Sequence, residues 1–122
     1  PGATVLCKSN GSETVVTILE KGYASITNSN TPYTAVAGAQ ILANTTSAVI
    51  TVTLPSAAST GDEVTIIDSY GTFQSNNLTV DRNGLKINSG TSNLTLSNNG
   101  QSLTLVYVDA TRGWVYKTNY TS

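Results

Sequence analysis

The side chains that could carry chemistry in this 122-residue chain are seven carboxylates, six cationic groups and a single thiol, and there is no histidine. Without histidine, Ser-His-Asp and Cys-His nucleophiles and histidine-ligated zinc sites are excluded. A glycosidase needs two carboxyl groups about 5–10 Å apart. Asp62 and Glu63 are adjacent, and adjacent residues of a strand point to opposite faces, so they do not form such a pair. Asp62, Asp81 and Asp109 are better explained as turn residues that bond their own backbone.

Two further catalytic or metal-binding patterns are weak. Lys86 and Lys117 lie among many serines, as a Ser-Lys self-cleavage site requires, but random placement of 14 serines gives the same picture. The run Asp81-x-Asn83-Gly84 resembles the start of a calcium-binding loop but lacks the remaining ligands, so a turn explains it better. The sequence therefore predicts a protein that is not an enzyme, with no catalytic residues, no cofactor and no bound metal.

Aromatic side chains supply the best candidates for ligand binding, because tryptophan and tyrosine rings stack on apolar faces of a ligand while short polar groups bind its hydroxyls. Loops at the ends of a β-sandwich carry function, which favours Tyr70, Tyr120 and the 109–112 loop. A structural role competes at Trp114, which follows a glycine turn and is expected to close a hairpin or pack between subunits. The candidate ligand-binding residues are Tyr70, Phe73, Arg82, Asp109, Arg112, Trp114 and Tyr116.

Arg82 and Arg112 are the only guanidinium groups of the chain, and both fall in predicted turns. Either could grip an acidic sugar or a phosphate group through paired hydrogen bonds. Either could equally be an ordinary solvated turn residue, and the sequence leaves both interpretations open.

Composition excludes several classes of protein. Charged residues make up 11% and hydrophobic residues 39%, with a net charge of −1, so the chain should fold rather than stay disordered. That charge, with a pI near 5.0, gives no electrostatic attraction to nucleic acid or anionic lipid. No apolar run approaches the ~20 residues of a membrane helix, and no signal peptide is expected. The single Cys7 cannot form an internal disulfide.

Short runs of Thr, Val, Ile and Tyr, separated by turn residues, predict strands. In the run 49–54, Ile50, Val52 and Leu54 share one face while two threonines share the other. No segment has the 3.6-residue period of a helix. The predicted strands span residues 14–19, 49–54, 63–68, 78–80, 85–87, 94–96, 103–108 and 114–118, the first on its β-branched residues.

The turns between these strands set the expected topology. Asn83-Gly84 and Asn99-Gly100 are hairpin signals, since both residue types tolerate the positive φ of a type I′ turn, and a longer turn at 109–113 joins the last two strands. Three related tetrapeptides, N-L-T-V, N-L-T-L and S-L-T-L, are unevenly spaced, which favours strands of one sheet over a solenoid repeat. We predict an all-β fold, a β-sandwich with a jelly-roll-like meander of short antiparallel strands.

Several segments, taken in order, resemble modules at the C-terminal ends of bacteriophage tail fibres and tailspikes. They are A-V-I-T-V-T-L-P-S-A-A-S-T-G-D-E-V-T-I-I-D at 48–68, Y-G-T-F at 70–73, N-N-L-T-V-D-R-N-G at 76–84 and L-V-Y-V-D-A-T-R-G-W at 105–114. The resemblance covers residues 32–117 and is weaker before them. We therefore expect residues 1–31 to be shaft or linking strands and residues 32–122 to be the β-sandwich head module.

The resemblance implies a homotrimer at the host-facing end of the fibre, which is part of the virion and is made in the host bacterial cytoplasm. Its expected partner is a polysaccharide or protein receptor on the host surface, with no nucleic-acid partner and no membrane insertion. The implied function is host attachment by non-catalytic glycan binding through loop aromatics and amides. Two other functions stay open: a purely structural module that trimerises and caps the fibre and, ranked last, a fragment of a carbohydrate-active enzyme.

Overall fold

The computed structural model describes residues 17–18 and 22–121, so Cys7, Glu13 and Glu20 lie outside the described residues. Ten β-strands and one short 3-10 helix, Asn28–Asn30, make up the regular structure of this part, which contains no α-helix. The all-β prediction is confirmed. The strands are β1 Thr17–Ile18, β2 Tyr23–Thr27, β3 Tyr33–Thr34, β4 Gln40–Asn44, β5 Ile50–Thr53, β6 Glu63–Asp68, β7 Leu78–Asp81, β8 Leu94–Leu96, β9 Ser102–Asp109 and β10 Gly113–Tyr120.

The strands form two mixed sheets, one with the order β1-β2-β4-β6-β9-β10 and one with the order β3-β5-β7-β8. From β2 to β7 the chain alternates between the sheets, so β2, β4 and β6 are parallel to one another, as are β3, β5 and β7. The expected antiparallel meander is therefore wrong for this part of the chain, because each loop leads to the opposite sheet. Antiparallel pairing is confined to β1–β2, β7–β8, β6–β9 and β9–β10 among the described strands.

Alternating side chains build the core between the two sheets. In β5, Ile50 and Val52 are fully buried and the threonines beside them are partly exposed, as predicted. Full burial of such a side chain stabilises the fold by about 1.5–3 kcal/mol. One hydrophobic cluster joins buried side chains of both sheets, from Ile26 in β2 to Trp114 in β10. The two sheets therefore share a single core.

The Asn83-Gly84 turn forms, but it does not join a β-hairpin. Both central residues have positive φ, 51° and 88°, as a type I′ turn requires. The predicted strand at 85–87 is absent, and β7 pairs with β8 instead. Ile87 makes isolated bridges to Gly90 and Trp114. The turn therefore sends the chain towards β10 of the other sheet.

The Asn99-Gly100 turn also differs from the prediction, because it joins β8 to β9, which belong to different sheets. Of its two central residues, only Gly100 has a positive φ, 77°. A single positive φ at the third position is the pattern of a type II turn and not of the type I′ hairpin. The turn at 109–113 does form the predicted hairpin between β9 and β10.

Strand β2 lies inside the six-stranded sheet, between β1 and β4. Its Ile26 is fully buried in the shared core. This strand is thus continuous with the sheet that the later strands complete. The division of the chain into a segment 1–31 and a head 32–122 stays a prediction.

The 86–90 segment is held against the start of β10 by backbone hydrogen bonds. Trp114 N–H donates to Lys86 O at 2.7 Å, and Asn88 N–H donates to Trp114 O at 2.7 Å. Gly113 lies at this contact with a φ of 72°, and a Cβ there would overlap the Lys86 carbonyl. Only glycine allows both the positive φ and this close approach of two backbones.

Gly113→Ala is expected to lower the free energy of unfolding by about 3 kcal/mol or more, since it adds left-handed backbone strain and a clash with the Lys86 carbonyl. Gly71→Ala is the matched control, because Gly71 has a φ of 69° with open space around a Cβ. Backbone strain alone should cost that control about 1–2 kcal/mol. Chemical denaturation measures both losses, and equal losses would contradict the proposed clash.

Candidate functional site

The alternation between sheets places the connecting loops at two opposite ends of the fold. At one end, loops leave the carboxyl ends of β2, β4 and β6, and the start of β9 lies there too because β6 and β9 are antiparallel. We name this the amide end; its loops are 28–32, 45–49, 69–77 and 97–101, together with residues 119–121. We name the opposite end the charged end; its loops are 35–39, 54–62, 82–93 and 110–112.

The names follow from the side chains at each end. The amide end carries Asn28, Asn30, Gln74, Asn76, Asn77, Asn98, Asn99, Gln101 and Asn119. Among the described residues, every charged side chain except Asp68 lies in or next to the charged end or in β10. These charged residues are Asp62, Glu63, Asp81, Arg82, Lys86, Asp109, Arg112 and Lys117, of which Lys117 forms an exposed ion pair with Glu63 at 3.0 Å.

Asp68, at the end of β6, is only 6% exposed. Its Oδ1 accepts from Thr72 N–H at 3.1 Å, and its Oδ2 accepts from Phe73 N–H at 3.1 Å and from Gly100 N–H at 2.9 Å. Hydrogen bonds to a charged group are each worth about 1.5–3 kcal/mol. The carboxylate thereby fastens loop 69–77 to loop 97–101 and directs its charge into the protein.

Side-chain amides and hydroxyls connect the loops of the amide end further. Asn76 Nδ2 donates to Thr45 O at 2.8 Å, and the hydroxyls of Thr45 and Thr72 lie 2.7 Å apart. Asn99 Oδ1 accepts from Gln74 N–H at 2.8 Å. These bonds link three neighbouring loops, so the surface at this end is held in one arrangement.

Two tyrosines extend from the amide end into solvent. Tyr70, in loop 69–77, is 66% exposed, and Tyr120, at the end of β10, is 63% exposed. Tyr33, at the start of β3, is partly buried at the same end, and this burial raises the pKa of its phenol above the ordinary 10.0. The phenol is therefore neutral at physiological pH. Aromatic faces beside uncharged donors and acceptors suit a neutral polar ligand.

Two sequence-predicted ligand-binding residues, Phe73 and Trp114, must be removed from the candidate set because both are fully buried in the core. The Trp114 ring meets Tyr107 edge to face, with centroids 5.5 Å apart and planes at 68°. Its Nε1 is buried and has no hydrogen-bond partner among the described residues. Neither ring presents a face to a ligand at the surface of the chain.

Three other candidates lie at the charged end. Arg82 Nη1 donates to Leu85 O at 3.0 Å, which closes its own turn. Arg112 N–H donates to Asp109 Oδ1 at 2.7 Å, and Arg112 Nη1 donates to Ser89 Oγ at 3.3 Å. The structure therefore brings Asp109 and Arg112 together in the β9–β10 turn, where Asp109 bonds the backbone as predicted.

The two remaining candidates, Tyr70 and Tyr116, lie apart from each other. Tyr70 belongs to the amide end, opposite the two arginines. Tyr116 lies midway along β10, paired with Leu105, and is 41% exposed. The predicted site residues thus do not form one cluster, and the amide end holds the most exposed aromatic of the set.

Sequence reasoning missed the role of Asp68, which was counted among the carboxylates without a function of its own. Its donors Thr72 and Phe73 are near in sequence, but Gly100 is 32 residues away. A strand-terminal aspartate before Ser-Tyr-Gly indicates a turn. No local signal indicates that a second loop also bonds the same carboxylate.

A scan against protein-family models and a search of curated proteins found no match to this chain. Within the described residues, no group of three or more His, Cys, Asp or Glu side chains is placed to hold a metal ion. In the same part of the chain, no helix is long and apolar enough to cross a membrane. The amide end is the candidate site because it combines two exposed tyrosines with loops held together by hydrogen bonds.

Asp68→Asn is expected to lower the free energy of unfolding by about 3 kcal/mol, because it replaces an accepting oxygen by an NH2 group that faces backbone donors. Asp81→Asn is the control, since Asp81 Oδ1 accepts from Asn83 N–H in an exposed turn. An asparagine oxygen serves equally well there, so the change should stay within about 0.5 kcal/mol. Urea denaturation measures both; similar stabilities of the two variants would refute the role given to Asp68.

Proposed function

We propose that this chain is the receptor-binding module at the C-terminal end of a bacteriophage tail fibre, and that it attaches the virion to a glycan on the host surface without cleaving it. The observation that supports this most directly is the amide end, where Tyr70 and Tyr120 are exposed at the same end of the fold as the side-chain amides. Sugars are bound by aromatic faces and neutral hydrogen-bonding groups. The sequence resemblance over residues 32–117 supports the assignment to a fibre.

The proposed ligand is a neutral saccharide. In the described structure, the amide end has no guanidinium or ammonium group, so an anionic sugar would gain no ion pair there. Asp68 supplies the one side-chain carboxylate that the described residues place at this end, and it accepts from three backbone N–H groups and is buried. Such a surface discriminates by shape and hydrogen bonding and is little affected by salt.

A homotrimer is part of the proposal. A shallow polar surface binds weakly per site, and three linked copies raise the effective affinity. Strands β3 and β8 are the edges of the four-stranded sheet, and closed symmetric association covers such edges. Light scattering of the purified protein gives its mass in solution, and a monomer would contradict both the trimer and the avidity that the proposal needs.

Tyr70→Ala is expected to weaken glycan binding by at least about tenfold, because it removes the most exposed aromatic face of the amide end. The mass of the assembly should not change, since the side chain is 66% exposed. The measurement has two steps. Labelled protein is first bound to cells from a panel of bacterial strains, and then to the purified surface polysaccharides of the strain that binds.

Two further variants make the result interpretable. Val36→Ala is the matched control, because Val36 is 67% exposed at the charged end and should be neutral. Arg112→Ala removes one of the cations of that end. Loss of binding in Arg112→Ala with none in Tyr70→Ala would contradict the amide end as the site. A trimer that binds no strain would favour the capping role, and release of soluble sugar would favour an enzyme.

A further inference from the structure

Two Asn-Gly pairs lie in the described part of the chain, Asn83-Gly84 and Asn99-Gly100, while Asn10-Gly11 lies outside it. In such a pair the glycine backbone nitrogen can attack the asparagine side-chain carbon, because no Cβ hinders its approach. The nitrogen loses its proton, the new N–Cγ bond forms and ammonia leaves. Water then opens the cyclic imide to aspartate or isoaspartate, so that an amide and water become a carboxylate and ammonium.

The second pair is protected at the attacking nitrogen. Gly100 N–H donates to Asp68 Oδ2 at 2.9 Å, and Asn99 Oδ1 accepts from Gln74 N–H at 2.8 Å. The bond to the carboxylate must break before the Gly100 nitrogen can attack. The negative charge of Asp68 also disfavours removal of the proton from that nitrogen. Asp68 therefore both holds Gly100 and slows its reaction with Asn99.

The first pair lacks this protection. Asn83 and Gly84 are both exposed, and the Gly84 N–H makes no hydrogen bond in the described structure. Within the described part of the chain, the Asn83 side chain is held by one bond, from Nδ2 to Leu54 O at 3.0 Å. The attacking nitrogen is thus accessible, and only one neutral hydrogen bond retains the leaving group.

We propose that Asn83 is a site of spontaneous deamidation, and that in the folded protein it converts well before Asn99. Conversion places a carboxylate beside the Leu54 carbonyl, where the Nδ2 donor had been, and two residues from Asp81. The 82–85 turn thereby loses its bond to loop 54–62. The change is confined to the charged end, so the proposed binding surface at the amide end is unaffected.

The test follows both sites in the folded full-length protein, incubated at physiological temperature and mildly alkaline pH. Trypsin separates them, because residues 83–86 and residues 87–112 fall in different peptides. Mass spectrometry detects the increase in peptide mass when the side-chain NH2 is replaced by OH, and fragment spectra identify the residue that has changed. Asn83 should convert at least about tenfold faster than Asn99, the factor expected from a hydrogen bond to a charged group.

The same protein in guanidinium chloride is the internal control, since unfolding exposes both pairs and should bring their rates together. Asn83→Ser should remove the signal from peptide 83–86 and leave the conversion of Asn99 unchanged. Conversion of Asn99 in the folded protein as fast as that of Asn83 would overturn the proposal. So would an intact Asn83 in the folded protein after the unfolded sample has converted.

Discussion

One buried carboxylate holds the amide end of this fold together. Loops that cross between two sheets leave backbone N–H groups without strand partners, and each such group costs about 1–3 kcal/mol if it is buried unpaired. Asp68 accepts three of them, two from its own loop and one from the loop that precedes β9. Of the two ends, the one where the described residues place fewer charges is thus organised by a buried carboxylate.

The winding of the chain determines which loops lie together at each end of the fold. Because β2 to β7 alternate between the sheets, every second loop lies at the same end. Loops 45–49 and 69–77 contribute hydroxyls and amides to one end, while loop 54–62 and the turn at 82–85 carry acidic and basic residues at the other. The two ends are therefore chemically different surfaces on one core.

The sequence predicts those features that depend on near neighbours. Alternation in β5 and β6 is visible in single runs of residues. The Asn-Gly pairs predict turns at 83–84 and 99–100, but only Asn83 has the positive φ of a type I′ turn, and Asn99 does not. Strand pairing is not local. Strand β4 pairs with β6, although β5 of the other sheet lies between them in the chain, and no pattern within either strand indicates that partner. For the same reason the pattern at 85–87 predicts a strand, although this segment makes only isolated bridges, one of them to Trp114 in β10.

For the candidate site, too, the local sequence predicts some features and long-range packing decides the others. Tyr70 is exposed because it lies in a loop beside a glycine, and this was visible in the sequence. Phe73 lies three residues further on, and its burial depends on the bond between its own N–H and Asp68 and on the core beneath it. Trp114 is fully buried, and its backbone is bonded to Lys86 and Asn88, which are remote in sequence. Residue type therefore identified aromatic candidates, and long-range packing decided which of them meet solvent.

The alternating winding also separates the loops, whose length can vary, from the strands, whose pairing is fixed. Loops that cross between sheets can change in length without shifting the register of the parallel strands, because each strand pairs with the one before and the one after it in its own sheet. The entropic cost of closing a longer loop rises only slowly with length. Adjacent strands are about 4.8 Å apart, so the crossing loops form a closely spaced row. Insertions in that row would give new surfaces on an unchanged core, and under the proposed function they would alter which glycan is bound.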